Sequence, residues 1–185
     1  GITHTTSSEK AMDSISHLIT APVHPWDALI CTSQTVKNNV ENILQAQINY
    51  LKDRLGITKF IAPQLPIIPL GIHTADFKFS ENDRGFSRKS LEINNETLVV
   101  LYMGRLSFHA KANPMAMYQA LEKAAKKTKK EVVLIECGWH ANISIEKIYK
   151  ETASKICPSV RIINLDGRDA NQRKIAWSSA DIFCS

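Results

Sequence analysis

Long apolar runs are missing from this chain. No stretch approaches the roughly 18–20 consecutive apolar residues that cross a bilayer, which argues against a membrane-spanning helix. The opening, Gly1-Ile2-Thr3-His4, has neither a basic segment nor an apolar core, so a signal peptide is not expected. It has no initiator Met, so this is not expected to be a natural N-terminus. Cysteine is scarce: Cys31, Cys137, Cys157 and Cys184 form no Cys-x-x-Cys pair. The six histidines show no His-x-x-x-His or mixed Cys/His spacing, which disfavours a structural metal. There is no Asp-x-Asp metal motif, internal repeat or low-complexity segment.

What is present is ordinary for a globular protein: 44% hydrophobic and 22% charged residues. The 185 residues suffice for one domain or parts of two. Cys31, Cys137 and Cys184 lie in or beside apolar, strand-like runs, as small buried residues of a reducing compartment do. A cytoplasmic location is therefore expected. The net charge is +5, and its densest run is Lys123 to Lys130. Cations of this kind suit the last turn of a helix. A nucleic-acid patch is disfavoured because no aromatic residue interleaves with the lysines. Steep salt dependence of DNA or RNA binding would be needed to revive that reading.

Periodicity supplies the elements. A short helix is expected around Glu9 to Ile19, and a short buried strand over Asp27 to Thr32. Val36, Val40, Ile43, Leu44, Ile48, Leu51 and Leu55 then recur at helical steps. Ser33 or Thr35 can cap that helix and Gly56 can end it. Pro63, Pro66 and Pro69 argue against a central antiparallel strand, and a short strand feeding a turn at Gly71 fits better. Residues 73–96 are polar and aperiodic, a candidate crossing between a domain at 1–72 and another at 97–185. From Glu96 the rhythm is regular. Strands at Leu98–Met103, Val132–Cys137 and Val160–Leu165 alternate with helices near 114–127, 144–156 and 171–179, and a last strand begins at Asp181. Continuous apolar strands separated by helices predict an α/β fold with a doubly wound parallel sheet.

In such sheets ligands bind beyond the carboxyl ends of the strands. There the sequence offers Gly104-Arg105 after the first strand, then Lys111, then a helix start at Asn113-Pro114. Two cations beside a helix N-terminus make a site for a phosphate or diphosphate. The alternative is a loop arginine paired to a carboxylate, with Lys111 solvated. Gly138, in Glu136-Cys-Gly-Trp-His140, would let a ligand approach the backbone. His140 could reach a phosphate or sugar, or be a surface histidine. Gly167 could let the backbone contact a base edge, or form a tight turn. Trp139 and Trp177 read as packing residues ahead of base-stacking platforms.

These residues give the chain a resemblance to glycosyltransferases of the GT-B fold. It most resembles the large retaining family (family 4 type, glycosyltransferase group 1) that includes sucrose, trehalose and glycogen synthases. The strand–Gly104-Arg105-Leu106–loop–Lys111 pattern resembles the family's donor diphosphate site. Pro69-Leu-Gly-Ile-His-Thr-Ala-Asp-Phe77 resembles its interdomain crossing, with His73 where the family usually has Asp. Asp27 to Ser33 followed by Lys37 resembles the end of its acceptor domain, and Ala180-Asp-Ile-Phe-Cys-Ser185 its Ala-Asp-Val-Phe strand.

The resemblance implies transfer of a sugar from a nucleoside diphosphate to an acceptor hydroxyl with retention of configuration. Gly104, Arg105 and Lys111 would bind the donor diphosphate, and Gly138, His140 and Gly167 are candidate donor contacts. No metal or other cofactor is implied. The implied partners are a UDP-, GDP- or ADP-linked sugar and an acceptor, with peripheral membrane association if that acceptor is lipid-linked. The alternative is a non-catalytic nucleotide-diphosphate-binding module of the same fold. The family's Glu-x7-Glu element would follow Ser185, so an internal fragment with both Rossmann-like domains incomplete is expected. Such a piece should be marginally stable and inactive by itself.

Overall fold

Leu98-Val-Val-Leu-Tyr-Met and Val132-Val-Leu-Ile-Glu-Cys are rich in residues that suit a pleated, buried strand. In the computed structural model, which describes residues 1–108 and 113–184, they form the centre of a parallel sheet. The strands are β1 (Leu98–Leu106), β2 (Val132–His140), β3 (Arg161–Asp166) and β4 (Ile182–Phe183), in the order β3-β2-β1-β4. The chain moves outward from β1 to β3, then returns to pair β4 on the other side of β1. This reversal makes a topological switch point at β1.

Alternate residues of the central strands face opposite layers. Val100, Tyr102, Val132 and Leu134 pack under α4 (Met115–Lys127) and α5 (Ile143–Ile156) through Tyr118, Leu121, Tyr149 and Ala153. Val99, Leu101, Val133 and Ile135 pack with Ile93 and with Ala176 of α6 (Ala170–Ser179). The sheet is thus covered on both faces, as continuous apolar strands require.

The chain divides into two compact units, Gly1–Ile72 and His73–Ser185. The first holds α1 (Glu9–Ser16), a 3₁₀ turn at His17–Ile19 and α2 (Gln34–Leu55). Ser33 caps α2, its hydroxyl accepting from the Val36 amide at 3.2 Å. Gly56 ends α2 in the left-handed region at φ 66°. Cys31, Val40, Leu44 and Leu51 form the core of this unit with Ile15 and Ile19. Its expected strand at 27–32 makes only isolated parallel bridges, Ile2 with Ile30, Ala28 with Gln64 and Cys31 with Ile67.

Residues 73–96 fall in the second unit, and part of them forms α3 (Glu81–Ser90). Its start is a capping box: Ser80 accepts from the Asp83 amide while the Asp83 carboxylate accepts from the Ser80 amide. Arg88 of α3 is 1% exposed. It donates to the carbonyls of Asn94, Asn95, Thr97 and Ser179 and to the Asp181 carboxylate. Asp181 also accepts from Arg84 and from the Val99 amide. One carboxylate thereby fastens α3 and the start of β4 to β1. Among the described residues, no helix is long and apolar enough to cross a membrane.

Candidate functional site

The carboxyl edge of β1 is where the sequence places a ligand, and the structure redraws it. The strand does not stop at Gly104. It continues through Arg105 to Leu106, paired in register with Gly138, Trp139 and His140. Arg105 therefore projects from a strand end, not from a loop. A partner strand of equal length explains the extension, because β2 offers ladder groups as far as His140. The Arg105 side chain is exposed and has no hydrogen-bond or ion-pair partner among the described residues. The carboxylate-paired alternative for Arg105 is thus not what the described residues form. Lys111, its expected companion, lies outside the described residues.

Helix α4 begins just across this edge. Its first residue is Met115, with Pro114 at the cap position (φ −73°, ψ −10°). That is one residue later than a cap at Asn113 would give. Asn113 still serves the helix start, its side-chain oxygen accepting from the Met115 amide at 3.0 Å. The amino end of α4 carries the partial positive charge of a helix N-terminus.

The three glycines form one packed group. A Cβ added to Gly138 would lie 1.9 Å from the Gly104 carbonyl oxygen. A Cβ at Gly167 would lie 2.9 Å from the Gly138 Cα, and the Gly167 amide donates to the Gly138 carbonyl at 3.0 Å. The expectation that Gly138 and Gly167 make room for a ligand meets a different cause here: each makes room for its neighbour's backbone. The three strand ends draw together, which brings Arg105, His140 and Asp166 to one edge of the sheet.

His140 closes β2. Its Nε2 is buried and has no hydrogen-bond partner among the described residues, while its ring meets Tyr149 edge-on at 5.1 Å. Burial holds the imidazole below its ordinary pKa; Glu146 opposes this and Lys150 reinforces it. A neutral imidazole at neutral pH can donate from one nitrogen and accept at the other. His140 lines a cavity of about 390 Å³ together with Gly138, Asn142, Glu146, Asp166 and Arg168. At its rim Arg168 forms a two-pronged pair with Asp166, at 2.9 and 3.0 Å.

Sequence reasoning assigned no role to Glu136. It is 3% exposed, and its carboxylate accepts from the hydroxyl of the buried Tyr118. Burial raises its pKa, and the Tyr118 bond only partly offsets this. Tyr102 and Tyr149 stand in the same buried cluster, both with hydroxyls pushed upward by burial, Tyr149 to about 12. Glu136, Tyr102 and Tyr149 line a second cavity, of about 310 Å³, with Asn113, Pro114 and Cys184. The available signal was a lone carboxylate inside an apolar run of a strand buried on both faces.

Other singled-out residues have structural settings. Trp177 packs between Phe77 and Phe183, with ring centroids 5.4 and 5.1 Å away. The lysine-rich run spans the end of α4, where Lys126 pairs with Glu122 and, beyond the helix, Lys130 with Glu96. Cys31, Cys137 and Cys157 are buried free thiols, and Cys184 is a half-buried one. No group of His, Cys, Asp and Glu able to hold a metal occurs among the described residues.

No family model and no curated protein sequence matches this chain. Solved structures do resemble it. Anabaena Alr3699/HepE in complex with UDP gives a TM-score of 0.64 at 15% identity, over 98% of this chain and 44% of that one. The same protein in complex with UDP-glucose gives 0.62 at 16% identity, over 98% and 44%. The N-terminal domain of Candida albicans trehalose-6-phosphate phosphatase gives 0.55 at 15% identity, over 85% and 38%. This chain thus spans less than half the length of the solved structures it resembles. At these identities the likeness establishes the fold: an α/β, Rossmann-like architecture of the GT-B type.

Proposed function

We propose that this chain belongs to a glycosyltransferase and carries part of its nucleotide-sugar site, at the carboxyl edge of β1. The observation that carries the reading is Arg105: an exposed guanidinium without a protein partner among the described residues, at the carboxyl end of the strand where the order of a parallel sheet reverses. A planar fork of donors in that position suits a diphosphate. The solved complexes of a structurally similar protein with UDP and UDP-glucose support the same ligand class.

In this reading Arg105 and Lys111 bind the donor diphosphate. As the bond from the sugar to the diphosphate breaks, negative charge grows on the leaving oxygen, and fixed cations stabilise that charge more than they stabilise the bound donor. The sugar passes to an acceptor hydroxyl with retention of configuration. Charge compensation by the two side chains requires no metal ion. His140, at the neighbouring strand end, supplies a neutral donor and acceptor to the donor's sugar or phosphate. The reaction runs in the cytoplasm.

The test is calorimetric titration of UDP, GDP and ADP into the full-length protein and its Arg105→Ala and Lys111→Ala variants. One diphosphate should bind, and each substitution should weaken it by about 1.5–3 kcal/mol. Binding of none of the three, or binding indifferent to both residues, overturns the reading.

A further inference from the structure

We propose that Tyr102 is a positioning residue for the diphosphate site: from inside the core, its hydroxyl holds the Gly104–Arg105 backbone in the form that presents the Arg105 guanidinium. The inference rests on the function proposed above and assigns a role that the sequence alone did not suggest.

Two contacts of this one hydroxyl carry it. The Tyr102 hydroxyl donates to the Arg105 carbonyl at 3.3 Å, across only three residues of chain. That carbonyl also accepts from the Ser107 amide at 3.0 Å, so two donors fix one oxygen. Separately, a Cβ added to Gly104 would lie 3.2 Å from the same hydroxyl, at a backbone φ of 156°. The hydroxyl therefore sits directly beneath the Gly104–Arg105 link. A glycine at 104 accommodates it where a side chain would crowd it.

The anchor is rigid at its other end. Tyr102 is 8% exposed and packs in the core with Leu106, Tyr118 and Leu134. It stands opposite Glu136 in the ladder. Burial and the neighbouring Glu136 both hold the phenol protonated, so it remains a donor across ordinary pH. A merely space-filling tyrosine would need neither the bond to Arg105 nor the close approach to Gly104, and phenylalanine would serve equally.

The test is Tyr102→Phe in the full-length protein, with two measurements. First, UDP titration should show binding about three- to tenfold weaker, the scale of one positioning hydrogen bond. The thermal midpoint should move by only a few degrees. Second, amide hydrogen exchange, which needs no ligand, should quicken at Arg105 to Ser107 while Val99 to Leu101 stay protected. Gly104→Ala, which pushes a methyl against the same hydroxyl, should weaken UDP binding too, and by less in the Tyr102→Phe background.

Unchanged exchange at Arg105–Ser107 together with unchanged affinity overturns the inference. If Arg105→Ala weakens UDP binding and Tyr102→Phe does not, the positioning role alone fails. If UDP, GDP and ADP all fail to bind the native protein, the proposed function fails, and unchanged exchange would then also dismiss the tyrosine's hold on Arg105.

Discussion

The two units of this chain use the same elements and reach different degrees of order in their strands. In the second, β1 and β2 pair over nine consecutive residues. In the first, the extended segment at 27–31 bonds to both neighbours yet forms only isolated bridges. The Gln64 amide donates to Asp27, the Leu29 amide to Gln64, the Cys31 amide to Pro66 and the Ile68 amide to Cys31. This is a parallel ladder with one rung missing. The missing donor falls at Pro66, which has no N–H to offer the Leu29 carbonyl. Helices tolerate the comparison better: α2 and α5 each have a side-chain N-cap, from Ser33 and Asn142. A parallel sheet needs every alternate amide, so one proline decides between a sheet and a set of bridges. The unit with the intact ladder is also the one that brings Arg105, His140 and Asp166 to a shared edge.

The largest expected effect breaks the second unit and spares the first. Arg88→Ala leaves Asp181 with Arg84 and the Val99 amide as its partners and strips hydrogen bonds from four carbonyls. Each buried carbonyl left without a partner costs about 1–3 kcal/mol, and the lost charged bond to Asp181 adds to this. Hydrogen exchange should show β1 amides losing protection while α2 keeps its own. Equal loss in α2 would dissolve the distinction between the units. Gly138→Ala comes next, because the new methyl must displace the Gly104 backbone. Overpacking of this kind costs about 1–3 kcal/mol. Denaturant unfolding should detect it, and a neutral result would mean that the strand ends are not packed as described. Ser33→Ala acts on the first unit instead, costing about 1 kcal/mol through the lost cap of α2. Its signature is faster exchange in the first turn of α2 with β1 unaffected.

The smallest effect is a dependence on pH. Burial raises the Glu136 carboxyl above 4.5, so the folded state binds its proton more tightly than the unfolded state does. Glu136 thus costs no stability below pH 4.5, and the cost grows as pH rises toward the folded value. Asp181 runs the other way. Burial alone would raise its carboxyl, but the Val99 amide, Arg84 and Arg88 hold it below 3.8. The stability it contributes is present above that value and is lost as pH falls through the folded one. Glu136→Gln should therefore raise the thermal midpoint near pH 7 and change it little near pH 4. The same gain at both pH values would show that the carboxyl's charge is not what matters.

Much of this was legible in the sequence, for identifiable reasons. Continuous apolar runs at Leu98 and Val132 named the sheet, and Gly56 and Ser33 named the ends of α2. Helix α3 was hidden because it has no apolar stripe: it is held by Arg84 and Arg88, and its start signal, Ser80 to Asp83, uses Asp where Glu or Gln is the familiar partner. The strand end at Arg105 was misplaced because Gly104 reads as punctuation, whereas its partner is another glycine in the ladder. The Glu136–Tyr118 pair joins a strand to a helix 18 residues away in sequence, and only the face that α4 presents to the sheet reveals it.

The central claim is that the carboxyl edge of β1 binds a nucleoside diphosphate. A crystal structure of the full-length protein with UDP tests it most directly. The account predicts the diphosphate oxygens within hydrogen-bonding distance of the Arg105 guanidinium, beside the Asn113–Met115 start of α4. Well-ordered UDP seated elsewhere, with Arg105 in solvent, would contradict it.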